Sequence, residues 1–380
     1  MYTLLIYGII FLLCIICAMI YQVIIKSYMG KEELLLNDKI KIKISRVLFS
    51  GISIGILVWI NSIRYGIGTD YFNYEVIFQY IRGGLEYGST GYQLLSVEPL
   101  FFLINKFSAV LFQNYYGLLI IVSLFIYLCF IIPIISPNSA KIGSQPLMML
   151  IMIVLFFAPS MNIMRQMLAV ALIFSATKYI FSREILKYTI VVVLATMLHS
   201  SAVLCWPFYF LYYEGRNQKK YFSLLCLSIV AVPLLINPIY DFLSNFSIFE
   251  KYYEVYNFLE TPDFNRMFIK ILTKLPIIFL IVYTLKNRNK YSTREKYYIL
   301  LFFLEIMFIV LSMYSKWAFR LTYYCMVSEI FLIPSQLNRL KGVERFIFSL
   351  LIPTYYLVLF IFNVFYLQND GIVPFVTNFL

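Results

Sequence analysis

Histidine occurs once in these 380 residues, tryptophan three times, and charged side chains make up only 13% of the chain against 62% hydrophobic ones. So little charge, with a mean hydropathy of +0.82, excludes a single water-soluble core, because apolar runs recur along the whole length and no one interior could bury them. The runs lack the two-residue alternation of strands, which excludes a membrane β-barrel and leaves helices as the spanning element. A strand-turn-helix nucleophile elbow is missing too, so a serine–histidine hydrolase of that type has no footing. The six cysteines, Cys14, Cys17, Cys129, Cys205, Cys226 and Cys325, all lie in apolar spans. Cys14 and Cys17 share a helix face, yet two thiols without histidine or carboxylate companions make a poor metal site, and packing is the reading. Low-complexity linkers, an internal period and the features of a cleavable signal peptide are likewise lacking.

What is present is a series of apolar segments such as Leu4 to Ile25, Phe222 to Ile236 and Phe346 to Leu367, separated by short loops. Six of those loops are basic: Lys26 to Arg46, the stretch at Lys141, Lys178 to Lys187, Arg216 to Lys220, Lys286 to Lys296 and Arg339 to Arg345. They hold roughly two-thirds of all Lys and Arg, which assigns them to the cytoplasmic side by the positive-inside rule. The net charge of +12 is therefore a topology signal, and nucleic acid need not be invoked. The expected architecture is all-α: a polytopic integral membrane protein with about twelve transmembrane helices, both termini outside, read as one domain over residues 1–380. Two places resist a plain alternation. Leu100 to Phe112 reads as a re-entrant or interfacial segment, and Tyr188 to Tyr213 as a compact hairpin turning near His199; backbone of that kind survives at depth only beside protein or a wet cavity. Outer loops 61–98 and 238–266 are the stretches long enough to form a lid or docking surface.

The polar chemistry gathers on the side opposite the basic loops. Arg64-Tyr65-Gly66-Ile67-Gly68-Thr69-Asp70-Tyr71 has two glycines for a tight path, with Arg64 and Asp70 bracketing the turn; a snorkelling interface arginine is the competing reading. Asn162, Arg165, Gln166 and Ala169 form a polar stripe at i, i+3, i+4 and i+7, and Arg165 near a helix N-terminus favours an anion. His199-Ser200-Ser201 caps the hairpin, where an ordinary hydrogen-bonded packing histidine is as good an account as a catalyst. In Lys316-Trp317-Ala318-Phe319-Arg320-Leu321-Thr322-Tyr323-Tyr324, a helix puts Lys316 and Arg320 one turn apart, with Arg320 beside Tyr323 and Tyr324. Cations grip phosphate oxygens and aromatic rings stack on sugar faces, so this face suits a pyrophosphate carrying a sugar, although interface anchoring accounts for half of it. Arg266 lies at the same side, at the end of loop 238–266. Mid-span Glu305 and Glu329, with Lys274 in reach, read as a buried ion pair or shared proton, a proton relay being the sharper alternative.

The ordered set Arg64-x-Gly66-x-Gly68-Thr69-Asp70-Tyr71, Glu98-Pro99, Arg165-Gln166, His199-Ser200 and Arg320 with Tyr323 resembles the EpsG-like family, a branch of the Wzy-type polysaccharide polymerases. The resemblance implies a bacterial inner-membrane glycosyltransferase of GT-C-like fold with its site facing outward. Such an enzyme moves a growing glycan from undecaprenyl pyrophosphate onto a lipid-linked repeat unit in O-antigen, capsule or exopolysaccharide assembly, with a flippase and a chain-length regulator as candidate partners. It further implies that Arg64, Arg165, Gln166, Arg266, Lys316, Arg320 and Tyr323 bind the pyrophosphate-linked substrates, and that Asp70, Glu98 or His199 deprotonates the acceptor hydroxyl, His199 being slightly favoured. No metal or other cofactor is expected, and no Asp-x-Asp pair stands in an outer loop. Two rivals differ in class. A lipid-linked oligosaccharide flippase would spread its charges through two repeat-related halves, and a membrane O-acyltransferase would need an acyl-donor site open to the cytoplasm.

Overall fold

The computed structural model describes residues 2–29, 35–89, 97–212, 263–287, 291–314 and 316–377. They divide into two compact units, Met1–Trp206 with Leu340–Leu380, and Pro207–Arg339. Among the described residues every regular element is a helix, and the only bridge pairs Arg64 with Thr377.

The first unit contains α1 (Tyr2–Tyr28), α2 (Leu36–Ser62), α3 (Tyr71–Arg82), α4 (Pro99–Phe112), α5 (Tyr115–Ile134), α6 (Pro137–Ile142), α7 (Gln145–Asn162), α8 (Met164–Phe181) and α9 (Ile185–Thr196). A 3₁₀ turn Ser200–Cys205 follows α9. Local chemistry sets these boundaries. Asn114 accepts from the Gly117 amide to start α5, and Ser136 and Ser139 form a capping box at α6, each supplying an acceptor to an otherwise orphaned helix N–H. The apolar window of α7 is 94% buried, so this helix, hydrophobic all round, is the core on which α1, α5 and α8 pack. The second unit holds α10 (Phe208–Leu211), α11 (Phe264–Asn287), α12 (Thr293–Leu311), α13 (Lys316–Met326) and α14 (Glu329–Arg339). The last helix, α15 (Gly342–Ile361), returns to the first unit and packs on α7.

Six described helices are long and apolar enough to cross a membrane: Tyr2–Tyr28, Leu36–Ser62, Tyr115–Ile134, Gln145–Asn162, Met267–Leu285 and Gly342–Tyr366. The protein is thus a multi-pass helical membrane protein, and six is the count these residues establish where about twelve crossings were expected. The segment Phe222 to Ile236, with Cys226, lies outside the described residues. The other five cysteines are free, four of them buried.

Two local expectations change, and a third falls almost wholly outside the described residues. Loop 61–98 is partly helical: α3 buries Tyr71, Tyr74, Ile77, Phe78 and Ile81 against α4 and α5, so much of this stretch is packed structure. Of loop 238–266, residues 264–266 begin α11, and residues 238–262 lie outside the described residues. In the hairpin after Tyr188, the return arm up to Trp206 is only the 3₁₀ turn, closed onto α9 by Tyr188 Oη donating to Cys205 O at 2.7 Å and Trp206 Nε1 to Thr189 Oγ1 at 3.1 Å; it is too short to span. α4, with 14 residues, is about 21 Å long and also falls short of a ~30 Å hydrocarbon layer, as a re-entrant or interfacial helix should.

At one end of the first unit the chain termini meet the Arg64 loop. Tyr7 Oη donates to Ile372 O at 2.8 Å, the Phe375 amide to Thr3 Oγ1 at 3.0 Å, and the Tyr65 amide to Val376 O at 3.0 Å. This agrees with an assignment that puts both termini and the Arg64 motif on one side.

Candidate functional site

Apolar packing ends at Ile163. Its backbone, at φ −94° and ψ 58°, closes α7 and opens α8, which separates Asn162 from Arg165. The expected single stripe is therefore split: Asn162 ends one helix, while Arg165 and the buried Gln166 begin the next. Pro159 sits one turn before the break, and a helix-interior proline weakens the ladder at that point.

The break creates two adjoining polar clusters. In the first, Asn162 Oδ1 accepts from Thr69 Oγ1 at 2.7 Å and from the Asp70 amide at 3.1 Å, while Asn162 Nδ2 donates to Asp370 Oδ1 at 3.2 Å. Gly68 is in the left-handed region at φ +97°, and a Cβ there would lie 2.6 Å from Met161 O. Only glycine lets the motif loop sit this close to the end of α7. Burial pushes the Asp370 carboxyl above its ordinary value, and the Asn162 amide pulls it part of the way back. Asp70 begins α3 without using its side chain as a cap, and among the described residues no hydrogen bond or ion pair engages its carboxylate.

The second cluster joins three elements. Arg165 Nη1 meets Glu98 Oε2 at 2.8 Å, with 26% and 16% of the two side chains exposed. Glu98 Oε1 accepts from the Ser200 amide at 3.3 Å, and the Leu100 amide donates to Met197 O at 2.9 Å. The N-terminus of α8, the N-terminus of α4 and the turn carrying His199 are thus tied together. Tyr74 of α3 lies with its ring centroid 5.9 Å from the Arg165 guanidinium carbon. Burial pushes the Tyr74 phenol up, opposed by Arg165, and Asp70 one turn earlier adds to the rise. His199 Nδ1 is 2.8 Å from Ser201 Oγ and accepts from the Ser201 amide at 3.4 Å, which keeps the lone pair of the neutral ring on Nδ1 and its proton on Nε2.

Arg64 sits differently from the open phosphate clamp expected of it. It is 1% exposed, its Nη1 donates to Asn61 Oδ1, and its Nη2 lies 3.2 Å from Met164 Sδ. Asn61 is itself held by Tyr127 Oη at 2.6 Å and Ser160 Oγ at 3.3 Å. Burial depresses the Arg64 basicity, and the phenols of Tyr115, Tyr127, Tyr71 and Tyr7 offset part of that. A guanidinium nevertheless stays charged in a protein. Arg64 is thus a fixed, enclosed positive charge under the Arg165 helix start, with no carboxylate in ion-pair range among the described residues.

Arg320 and Tyr323 belong to the second unit, on α13, which is helical as the spacing requires. Both are half-buried, Tyr324 is buried, and Tyr323 packs edge-on against Phe319 at 5.9 Å. Lys316 and Arg266 fall on α13 and α11, and their side chains lie outside what is described. The same unit holds the expected buried cluster: Lys274 Nζ is 2.6 Å from Glu305 Oε1 and 2.5 Å from Glu329 Oε1. Among the described residues no group of three His, Cys, Asp or Glu side chains gathers as a metal site would.

The structure adds Tyr74, Asp370 and Gly371 to the site. Nothing in the sequence marks Asp370, which sits far along the chain after the last apolar span; only docking of the tail on the Gly68 loop brings it in.

The profile of the EpsG family matches residues 47–377. The chain belongs to the EpsG family. That match spans every motif described above and makes this a polysaccharide polymerase-like, glycosyltransferase-like membrane protein. No curated protein and no solved structure matches the chain.

Proposed function

We propose that this EpsG-family protein elongates a surface polysaccharide, transferring a growing glycan from undecaprenyl pyrophosphate to a hydroxyl of a lipid-linked repeat unit at the outer face of the bacterial cytoplasmic membrane. The observation that carries the reading is the Arg165–Glu98 contact, which puts a partly buried guanidinium, a helix N-terminus and the His199 turn in one place. A pyrophosphate leaving group calls for that combination of charge and aligned N–H groups.

In this reading the acceptor oxygen attacks the anomeric carbon of the donor glycan while the bond from that carbon to the pyrophosphate oxygen breaks. The leaving pyrophosphate keeps the electron pair, and Arg165 stabilises it with Arg64 as a buried positive background. The acceptor proton passes to the His199 imidazole. Glu98 is engaged by Arg165 and the Ser200 amide, which suits a positioning carboxylate, whereas the disengaged carboxylate of Asp70 is the second candidate base. Arg320, Tyr323, Lys316 and Arg266 are assigned to the sugar and pyrophosphate of the second substrate. The reading also expects about twelve crossings in a GT-C-like arrangement; α8 and α12, at 18 and 19 residues but charged near their starts, are the first helices to add to the six.

The test is extension of a defined undecaprenyl-pyrophosphate-linked repeat by the purified protein in nanodiscs, with and without a chelator. A ladder of longer products, unchanged by the chelator, is expected; a wild-type protein that extends nothing overturns the proposal. A deletion strain separates the rival classes: single repeats retained without long chains supports the polymerase, loss of all surface glycan a flippase, and normal lengths lacking acyl groups an acyltransferase.

A further inference from the structure

The turn that carries Asp70 does not hold itself in place. Its side-chain cap is missing, and two of its glycines take left-handed φ values, Gly66 at +63° and Gly68 at +97°, so its local sequence is free to adopt many conformations. What fixes it comes from distant parts of the chain. Asn162 at the broken end of α7 receives the Thr69 hydroxyl and the Asp70 amide on one oxygen. The Gly68 amide donates to Gly371 O at 3.0 Å, the Tyr65 amide donates to Val376 O at 3.0 Å, and Arg64 bridges to Thr377.

We infer that the C-terminal tail, residues 370–377, is a working part of the site, and that Asp370 is a positioning residue which orients the Asn162 amide and through it the turn presenting Asp70. The reasoning is one of hydrogen-bond polarity. An amide side chain has one acceptor end and one donor end. The Asn162 oxygen faces two donors, so its NH₂ must face an acceptor, and Asp370 Oδ1 is that acceptor at 3.2 Å. Without it the amide can rotate, the nitrogen then faces the Thr69 and Asp70 donors, and the turn loses its anchor. The C-terminal contacts of Gly371 alone hold Gly68 but leave Thr69 and Asp70 unfixed. Gly371, at φ +61° with its Cβ position 3.3 Å from Thr69 Cγ2, lets the tail pass close enough for both contacts.

The role assigned to Asp370 rests on the proposed transfer reaction, but the anchoring is measurable without it. The experiment uses the full chain in nanodiscs and four proteins: wild type, Asp370→Ala, Asn162→Asp, and the exchanged pair Asn162→Asp with Asp370→Asn. In the exchanged pair a carboxylate at position 162 accepts from Thr69, from the Asp70 amide and from the new amide at position 370, so every donor regains an acceptor. Hydrogen–deuterium exchange of the peptide containing residues 64–74 is the first readout: faster exchange, by about tenfold or more, is expected in both single variants and near-wild-type protection in the pair. The second readout is chain extension, where kcat should fall about 10- to 100-fold in the single variants with KM for the lipid-linked donor held within about threefold, and return in the pair. Wild-type exchange and kcat in Asp370→Ala, or single-variant losses that the exchanged pair does not repair, overturn the inference. A wild-type protein that extends no chain removes the proposed function, whereas unaltered exchange in Asp370→Ala removes the anchoring by itself.

Discussion

Arg165 and Glu98 meet at 2.8 Å across sixty-seven residues of sequence, and the carboxylate's other oxygen holds the amide of Ser200. One carboxylate therefore sets both the direction of the candidate phosphate-binding guanidinium and the position of the turn that presents His199. An anionic substrate reaching Arg165 has to share or displace Glu98, so substrate affinity and the geometry of the His199 turn are linked through this pair.

Arg165→Ala should lower kcat for chain extension about 10²- to 10³-fold, the loss typical of removing one charge-stabilising group, while membrane insertion and monodispersity in detergent stay at wild type. Arg165→Lys should recover only a small part, since an ammonium cannot make the forked contact. Extension assays on the two variants side by side check this; normal chain lengths in Arg165→Ala would remove the pyrophosphate role.

Glu98→Gln separates a positioning carboxylate from a base. With its counter-ion neutralised, Arg165 should bind the lipid-linked donor several-fold more tightly, with kcat changed by less than about tenfold. A loss of kcat beyond about 10³-fold at unchanged KM transfers the base role to Glu98.

His199→Ala should reduce turnover by about 10²- to 10⁴-fold with little effect on binding of the lipid-linked substrates. Near-parental turnover in this variant, together with a large loss in Asp70→Asn, would make Asp70 the base.

Asp370 gives a pH signature of stability. Because burial raises its carboxyl in the folded protein, the native state binds the proton more strongly than the unfolded chain, and stability falls as pH rises from the ordinary carboxylate value through the native one. Asp370→Asn removes this cost, so its melting temperature should exceed wild type at pH 7 and converge on it near pH 4. Thermal unfolding in one detergent at both pH values measures the difference, and an equal offset at the two pH values contradicts it.

Lys274→Met leaves Glu305 and Glu329 buried without their shared cation and should destabilise the protein by about 3–5 kcal/mol. Replacing all three by Met and Gln side chains should recover much of that loss, read as the midpoint of thermal unfolding.

Several residues of the candidate site are legible in the sequence. Arg165 next to Gln166 at the start of an apolar helix, Glu98 before Pro99, and the lone His199 at a short turn all stand out because a membrane segment has so few polar residues that each one is informative. The same scarcity identified Lys274, Glu305 and Glu329 as a buried cluster. Arg64 was legible as a charged residue beside a glycine turn, but its enclosure was not, since Tyr7, Tyr71, Tyr115 and Tyr127, from three helices, surround it. The polar stripe beginning at Asn162 misled because its spacing fits one helix, whereas the backbone breaks at Ile163, between Asn162 and Arg165.

By itself, the sequence determined the helical class and the membrane environment, because hydropathy, period and loop charge act locally and need no knowledge of neighbours. Tertiary structure alone decided that Glu98 engages Arg165, that Arg64 is sealed and that Asp370 reaches Asn162, because these contacts join residues 67, 100 and 208 positions apart whose meeting depends on how the helices pack.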